Sequence, residues 1–249
     1  MAESSGGDDR REHAAAGGGR AGERRGADSA AAHPATRGER IAYAGVRTLA
    51  LGVARLWVRL TVVGRERLPA HGPFILAPVH RSNLDFLMAG LVVPGRMRYM
   101  AKDSLWKSRV LGRVVEVLGG FPVHRGSADR EALRICMQVI ENGEPLVMFP
   151  EGTRRSGPDV KELFDGAAYV AARTGVPLVP LGIGGSERAM PTGSKVIKPR
   201  KVALVVGDPI HPPKGDGTGR VPRRVVRELT GQLRDAIQAR FDEATQISG

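Results

Sequence analysis

Beyond about residue 70 the chain alternates short apolar runs with longer stretches of helical period. Runs at 74–77, 98–101, 121–124, 145–149, 178–183 and 201–206 have the length and β-branched or aromatic content of buried strands. Between or after them, 83–92, 106–118, 127–141, 166–173 and 222–244 carry apolar residues at helical spacing. In the last of these, Val226, Leu229, Leu233, Ile237 and Phe241 keep close to a 3.6-residue period, and Asn142-Gly143 stops the third. This alternation predicts an α/β fold, a single layered domain over 69–245 with a mostly parallel or mixed sheet flanked by helices. No internal repeat and no second apolar core interrupts it.

Residues 1–38 have a different character. They are rich in Gly, Ala, Arg, Ser and Asp and almost devoid of large apolar side chains, so they predict a disordered tail. No continuous apolar stretch marks a signal peptide there. Residues 39–68 predict an amphipathic helix. Its segment 41–63 contains no acid, and Arg47, Arg55 and Arg59 fall within about 120° of one another on a helical wheel. Val46, Leu49, Val53, Leu56, Trp57 and Leu60 take the opposite side. No run of 18 uncharged apolar residues occurs, so a spanning helix is not expected. Two readings fit: a helix lying in a membrane interface, which the cationic and Leu/Val/Trp faces favour, or one packed on the domain.

Charge narrows the partners. The net charge of +12 is not in residues 1–40, where seven arginines face seven acids; the remaining 31 basic and 19 acidic residues carry all of it. A basic domain serves nucleic acid, an anionic membrane surface or phosphorylated substrates. Aromatics make up only 4% of the chain and no recognition-helix, RNP or zinc-finger pattern occurs, so no nucleic-acid partner is expected. The single cysteine, Cys136, lies in an apolar helical stretch and reads as a small buried hydrophobe in a protein of the reducing cytosol. The six histidines are scattered at spacings that suit no metal, so none is expected.

The candidate chemistry begins at His80-Arg81-Ser82-Asn83-Leu84-Asp85, directly after the first apolar run. Five steps along one helix would send the His80 and Asp85 side chains to nearly opposite faces. They converge only if His80 ends a strand-to-helix loop and Asp85 lies in the first helical turn, with Ser82 or Asn83 as N-cap. Convergence makes a base and its orienter. The other reading is a surface histidine with Asp85 answering the helix dipole. Further polar clusters end other predicted strands. Phe121-Pro122-Val123-His124-Arg125-Gly126 offers a cation, and Phe149-Pro150-Glu151-Gly152-Thr153-Arg154-Arg155 offers an acid, a hydroxyl and two guanidiniums on a glycine turn. Arginine forks suit phosphate oxygens, and Gly152 would let backbone N–H groups approach an anion. Arg155 reads as a solvated turn charge.

Four blocks in this order, at 80–85, 119–125, 149–154 and 176–180, resemble the glycerolipid acyltransferase family, the bacterial 1-acyl-sn-glycerol-3-phosphate acyltransferases in particular. The most specific is Phe-Pro-Glu-Gly-Thr-Arg. The chain departs from the pattern at Pro122, at the inserted Arg155, and at Asp165 where lysine is usual. The resemblance implies that His80 is the base and Asp85 its orienter. Arg125 and Arg154 would grip the acceptor phosphate, with Glu151, Gly152 and Thr153 lining the same site. It also implies transfer of a fatty acyl group from acyl-CoA or acyl-carrier protein to lysophosphatidic acid at the cytoplasmic face of a membrane, by a peripheral or monotopic protein. No Gly-x-Ser-x-Gly elbow occurs, which accords with direct transfer. No phosphate-loop or dinucleotide fingerprint occurs either, so no cofactor beyond the acyl carrier is expected. Glycerol-3-phosphate or another lysophospholipid as acceptor, a thioesterase, and a non-catalytic basic membrane-binding protein remain the alternatives.

Overall fold

The computed structural model describes residues 36–123, 130–194, 196–213 and 220–249. Nearly all of the expected tail, the residues 124–129 that include Arg125, and the predicted start of the third helix lie outside the described residues. The elements are α1 (Arg37–Trp57), β1 (Thr61–Val63), β2 (Ile75–Pro78), α2 (Leu84–Val92), β3 (Arg98–Lys102), α3 (Arg109–Val117), β4 (Gly120–Val123), α4 (Arg130–Glu141), β5 (Leu146–Val147), α5 (Gly166–Thr174), β6 (Leu178–Gly184), α6 (Ser186–Ala189), β7 (Ala203–Val206) and α7 (Arg223–Ser248).

One seven-stranded sheet runs in the order β1-β7-β6-β2-β5-β3-β4. Pairs from β6 through β4 are parallel; β7 runs antiparallel to β6, and β1 is parallel to β7. The expected α/β sheet is therefore mixed. β2 and β6 are buried along their whole length, as strands covered on both faces must be, and this explains their continuous apolar runs. Register places Ile75 beside both Leu146 and Leu178, so β2 is the central strand between β5 and β6. Its carboxyl end hands over to His80. β5 is shorter than its apolar run, because past Val147 the chain turns toward Pro150, which has no N–H to give a ladder.

α7 closes one face. Val226, Leu229, Leu233, Ile237 and Phe241 are buried on the predicted stripe. Its backbone comes directly onto β6, where a Cβ at Gly182 would strike the Arg240 carbonyl and one at Gly184 the Ala244 carbonyl. These glycines serve close packing. Cys136 is buried in the core, and burial pushes its thiol up to about 12.

The N-terminal expectation needs a correction. The helix predicted to reach residue 68 stops at Trp57, and Thr61-Val62-Val63 form β1 on the sheet edge beside β7. The apolar wheel pattern continues through this segment, but three β-branched residues prefer a strand once an edge is there to pair with. Arg59, with φ 45°, makes the bend. The layered domain thus starts at β1, before residue 69.

α1 packs on the domain through Tyr43 and Ala54, with Val58 buried just past its end, and Arg47 lies on the same side, donating from Nη2 to the Leu91 carbonyl at 2.8 Å. Trp57 Nε1 donates to the Ile197 carbonyl at 2.8 Å. Its bulkiest apolar side chains point away. Leu49 is 71% exposed and Leu56 85%, with Ile41, Val46 and Val53 also exposed. Among the described residues no helix is long and apolar enough to cross a membrane.

Candidate active site

His80 follows β2 through Val79, whose N–H still bonds Leu181 on β6. α2 begins four residues later, and this strand-loop-helix geometry folds Asp85 back toward the loop. His80 Nδ1 lies 3.2 Å from Asp85 Oδ2. The same oxygen accepts the N–H groups of Arg81 and Ser82, the latter at 2.6 Å. Ser82 and Asn83 were both expected as caps. The Asn83 side chain makes no capping bond, while Ser82 Oγ accepts from the Leu84 N–H at 3.2 Å and donates to the Met190 carbonyl at 2.7 Å. Asp85 is completely enclosed; the His80 side chain is 18% exposed and so reaches the surface of the cluster. Its ring lies 4.2 Å from that of Phe149 at the end of the neighbouring β5 segment.

Glu151 is brought against His80 because β2 and β5 are adjacent and parallel, so their carboxyl ends emerge side by side. Its carboxylate is fully buried and both oxygens are occupied. Oε2 accepts the His80 N–H at 2.9 Å, and Arg81 Nη1 donates to Oε1 and Oε2 at 2.9 and 2.8 Å. Oε1 also accepts the Lys161 N–H at 3.3 Å. Glu151 therefore acts on the site through His80 and Arg81, with no oxygen open to a ligand.

The rest of the turn is open. Gly152 (φ 66°) has the Phe164 ring where a side chain would stand. Gly152 was expected to let backbone N–H groups approach an anion, but its own N–H and that of Thr153 bond the Phe149 and Glu151 carbonyls inside the turn, at 3.0 and 2.8 Å. The outward features of this turn are instead the exposed Thr153, Arg154 and Arg155 side chains. The Arg155 N–H bonds the His80 carbonyl at 2.9 Å. Arg125 cannot be placed against this cluster, since it lies outside the described residues. Among the described residues no three His, Cys, Asp or Glu side chains gather at metal-binding separations.

Arg81 is the residue that sequence reasoning passed over. It sits inside the block as an ordinary basic residue, yet it is 2% exposed. The available signal was a charge next to a fully apolar strand, which demands a buried partner. Which carboxylate would meet it depended on the strand order.

Two concavities flank the fold. An apolar one of about 230 Å³ lies between α1 and α2, lined by Ala50, Val53, Leu84, Leu87, Met88 and Tyr99 among others. Burial raises the Tyr99 hydroxyl well above its ordinary value, and burial followed by the charge of Arg65 lowers Arg47. A larger cleft of about 510 Å³, lined by Arg65, His71, Phe74 and Pro94, lies beyond the opposite, amino end of β2. No member of the His80 cluster lines either cavity, but Leu84, next to Asp85 at the start of α2, lines the smaller one.

A family model described as Acyltransferase matches residues 59–184. Among similar proteins, the 1-acyl-sn-glycerol-3-phosphate acyltransferase of Bacillus subtilis (strain 168) is 31% identical over 151 residues, 60% of this chain and 73% of that protein. The chloroplastic 1-acyl-sn-glycerol-3-phosphate acyltransferase LPAT1 of Arabidopsis thaliana is 28% identical over 176 residues, 66% of this chain but only about half, 49%, of the plant protein. Among solved structures, the 1-acyl-sn-glycerophosphate (LPA) acyltransferase PlsC from Thermotoga maritima superposes with a TM-score of 0.65 at 25% identity, covering 80% of this chain and 78% of that one.

Proposed function

The chain belongs to the acyltransferase family, and we propose that it moves a fatty acyl group from an acyl thioester, acyl-CoA or acyl-carrier protein, to the free hydroxyl of lysophosphatidic acid, yielding phosphatidic acid. The observation that carries this reading is the His80–Asp85 contact at the carboxyl end of the central strand, with the free Arg154 side chain on the adjoining turn. Names of relatives from bacteria and plants support the acceptor.

His80 Nδ1 is held by Asp85, which leaves Nε2 to take the proton of the acceptor hydroxyl. The oxygen attacks the thioester carbonyl, the tetrahedral oxyanion collapses, the C–S bond breaks, and the departing thiolate takes the proton back from the imidazolium. Asp85 stabilises that imidazolium without itself accepting the proton. No acyl-enzyme forms, because the acceptor oxygen stands where a hydrolase would use serine. Arg154, and Arg125 by the family pattern, supply cations for the acceptor phosphate. The cavity between α1 and α2 borders the helix that carries Asp85, and its apolar lining suits an acyl chain.

The outer face of α1 supports attachment to an anionic membrane surface. α1 buries Tyr43 and Ala54 but leaves the bulky Leu49 and Leu56 outside, on a domain with strong positive charge.

The test is purified protein with labelled acyl-CoA or acyl-carrier protein and a panel of acceptors. Phosphatidic acid formed fastest from lysophosphatidic acid is the expected result. Preference for glycerol-3-phosphate or another lysophospholipid would move the acceptor. Free fatty acid released without an acceptor would make the protein a thioesterase.

A further inference from the structure

We propose that Arg81 and Glu151 form a buried, charge-balanced brace that positions His80 as the base. This rests on the reading of His80 given above. Arg81 reaches four segments at once. Nη1 donates to both oxygens of Glu151 and, at 3.1 Å, to the His80 carbonyl; Nε donates to the Gly157 carbonyl at 3.3 Å and Nη2 to the Asp159 carbonyl at 3.1 Å. Its guanidinium lies 4.8 Å from the centre of the Phe241 ring on α7. The His80 backbone is thereby held on both sides, its N–H by Glu151 and its carbonyl by Arg81 and the Arg155 N–H. Asp85 orients the imidazole and, through the Arg81 and Ser82 N–H groups, the loop residues that follow it.

Stability alone does not account for an ion pair here, since well-packed apolar residues of the same volume commonly do as well. What a planar fork with five donors supplies, and an apolar pair does not, is fixed geometry among separate segments. Charge follows the same logic. The charged groups around His80 are Asp85 from α2, Arg81 on its own loop, and Glu151, Arg154 and Arg155 from the turn after β5; Asp159 and Lys161 lie exposed behind the brace. Arg81 cancels Glu151, so the brace leaves no uncompensated charge behind His80. Arg154, Arg155, Asp159 and Lys161 stay the same in every variant below, so differences report the brace.

The experiment compares Arg81→Met, Glu151→Gln, the double variant and Arg81→Lys with the full-length protein, measuring kcat and acceptor KM, with circular dichroism on each. Positioning predicts that kcat falls about 10- to 100-fold in each single variant while acceptor KM changes little. Arg81→Lys keeps the charge but loses the fork, so it recovers only part. The neutral double variant, which leaves no uncompensated buried charge, should fold with kcat still reduced and acceptor KM near wild type. A purely structural pair would lower kcat only in step with lost folded protein, and that result overturns the proposal. So does wild-type kcat in the folded double variant or in Arg81→Lys, and so does a raised acceptor KM with unchanged kcat, which would put Glu151 or Arg81 on the substrate. Full activity in folded His80→Ala would instead remove the base itself, which separates the two failures.

Discussion

Asp85 Oδ2 serves His80 Nδ1 and the N–H groups of Arg81 and Ser82 together, so one carboxylate oxygen fixes both the imidazole and the loop that presents it. The pair is therefore a unit. His80→Ala should reduce turnover by roughly 10²–10⁴-fold, the worth of general-base assistance. Asp85→Ala should come close to it, and the double variant should be little worse than His80→Ala. Single-turnover acyl transfer checks this; wild-type turnover in folded His80→Ala would end the mechanism.

Arg154 projects an unengaged side chain from the turn whose carboxylate braces His80. Arg154→Ala should raise acceptor KM by about one to two orders of magnitude, corresponding to a lost charge-assisted bond of about 1.5–3 kcal/mol. The apparent affinity for the acyl thioester should change much less. Arg155→Ala keeps the N–H that bonds the His80 carbonyl and should matter less. Kinetics with each substrate varied in turn decide between them. A raised acceptor KM for Arg155→Ala alone would shift the phosphate by one residue.

The exposed stripe of α1 predicts how the protein attaches. Replacing Leu49, Leu56 and Trp57 with Ser should release it from anionic liposomes, and added salt should weaken wild-type binding. Co-sedimentation measures both. Salt-insensitive binding that survives the triple change would assign α1 a structural role alone.

Gly184 lies under α7, where a Cβ meets the Ala244 carbonyl. Gly184→Ala should destabilise the fold by about 1–3 kcal/mol through overpacking, seen as a lower urea midpoint. Gly231, on the same helix with nothing within 4 Å of its added Cβ, should tolerate alanine or gain from it. Equal midpoints for wild type and Gly184→Ala would mean that α7 stands farther from β6 than described.

By itself the sequence determined the elements from β2 onward apart from the one-turn α6, and most of their bounds. Their signals are local: the unbroken apolar run of β6, the 3.6-residue stripe from Val226 to Phe241, and the helix start that lets Asp85 meet His80 five residues away. Tertiary structure decided what depends on neighbours. Thr61-Val62-Val63 continues the apolar pattern of α1 and becomes a strand only because β7 offers an edge. Arg81 and Glu151 are 70 positions apart, and nothing in either segment says that β2 and β5 will lie side by side. The wheel of α1 shows its two faces, but which one the domain takes shows only in the packed structure, where Tyr43 and Ala54 are buried and Arg47 bonds the Leu91 carbonyl. Spacing along a chain reports side-chain direction, whereas the partner of a buried charge and the covered side of a helix follow from packing among distant segments.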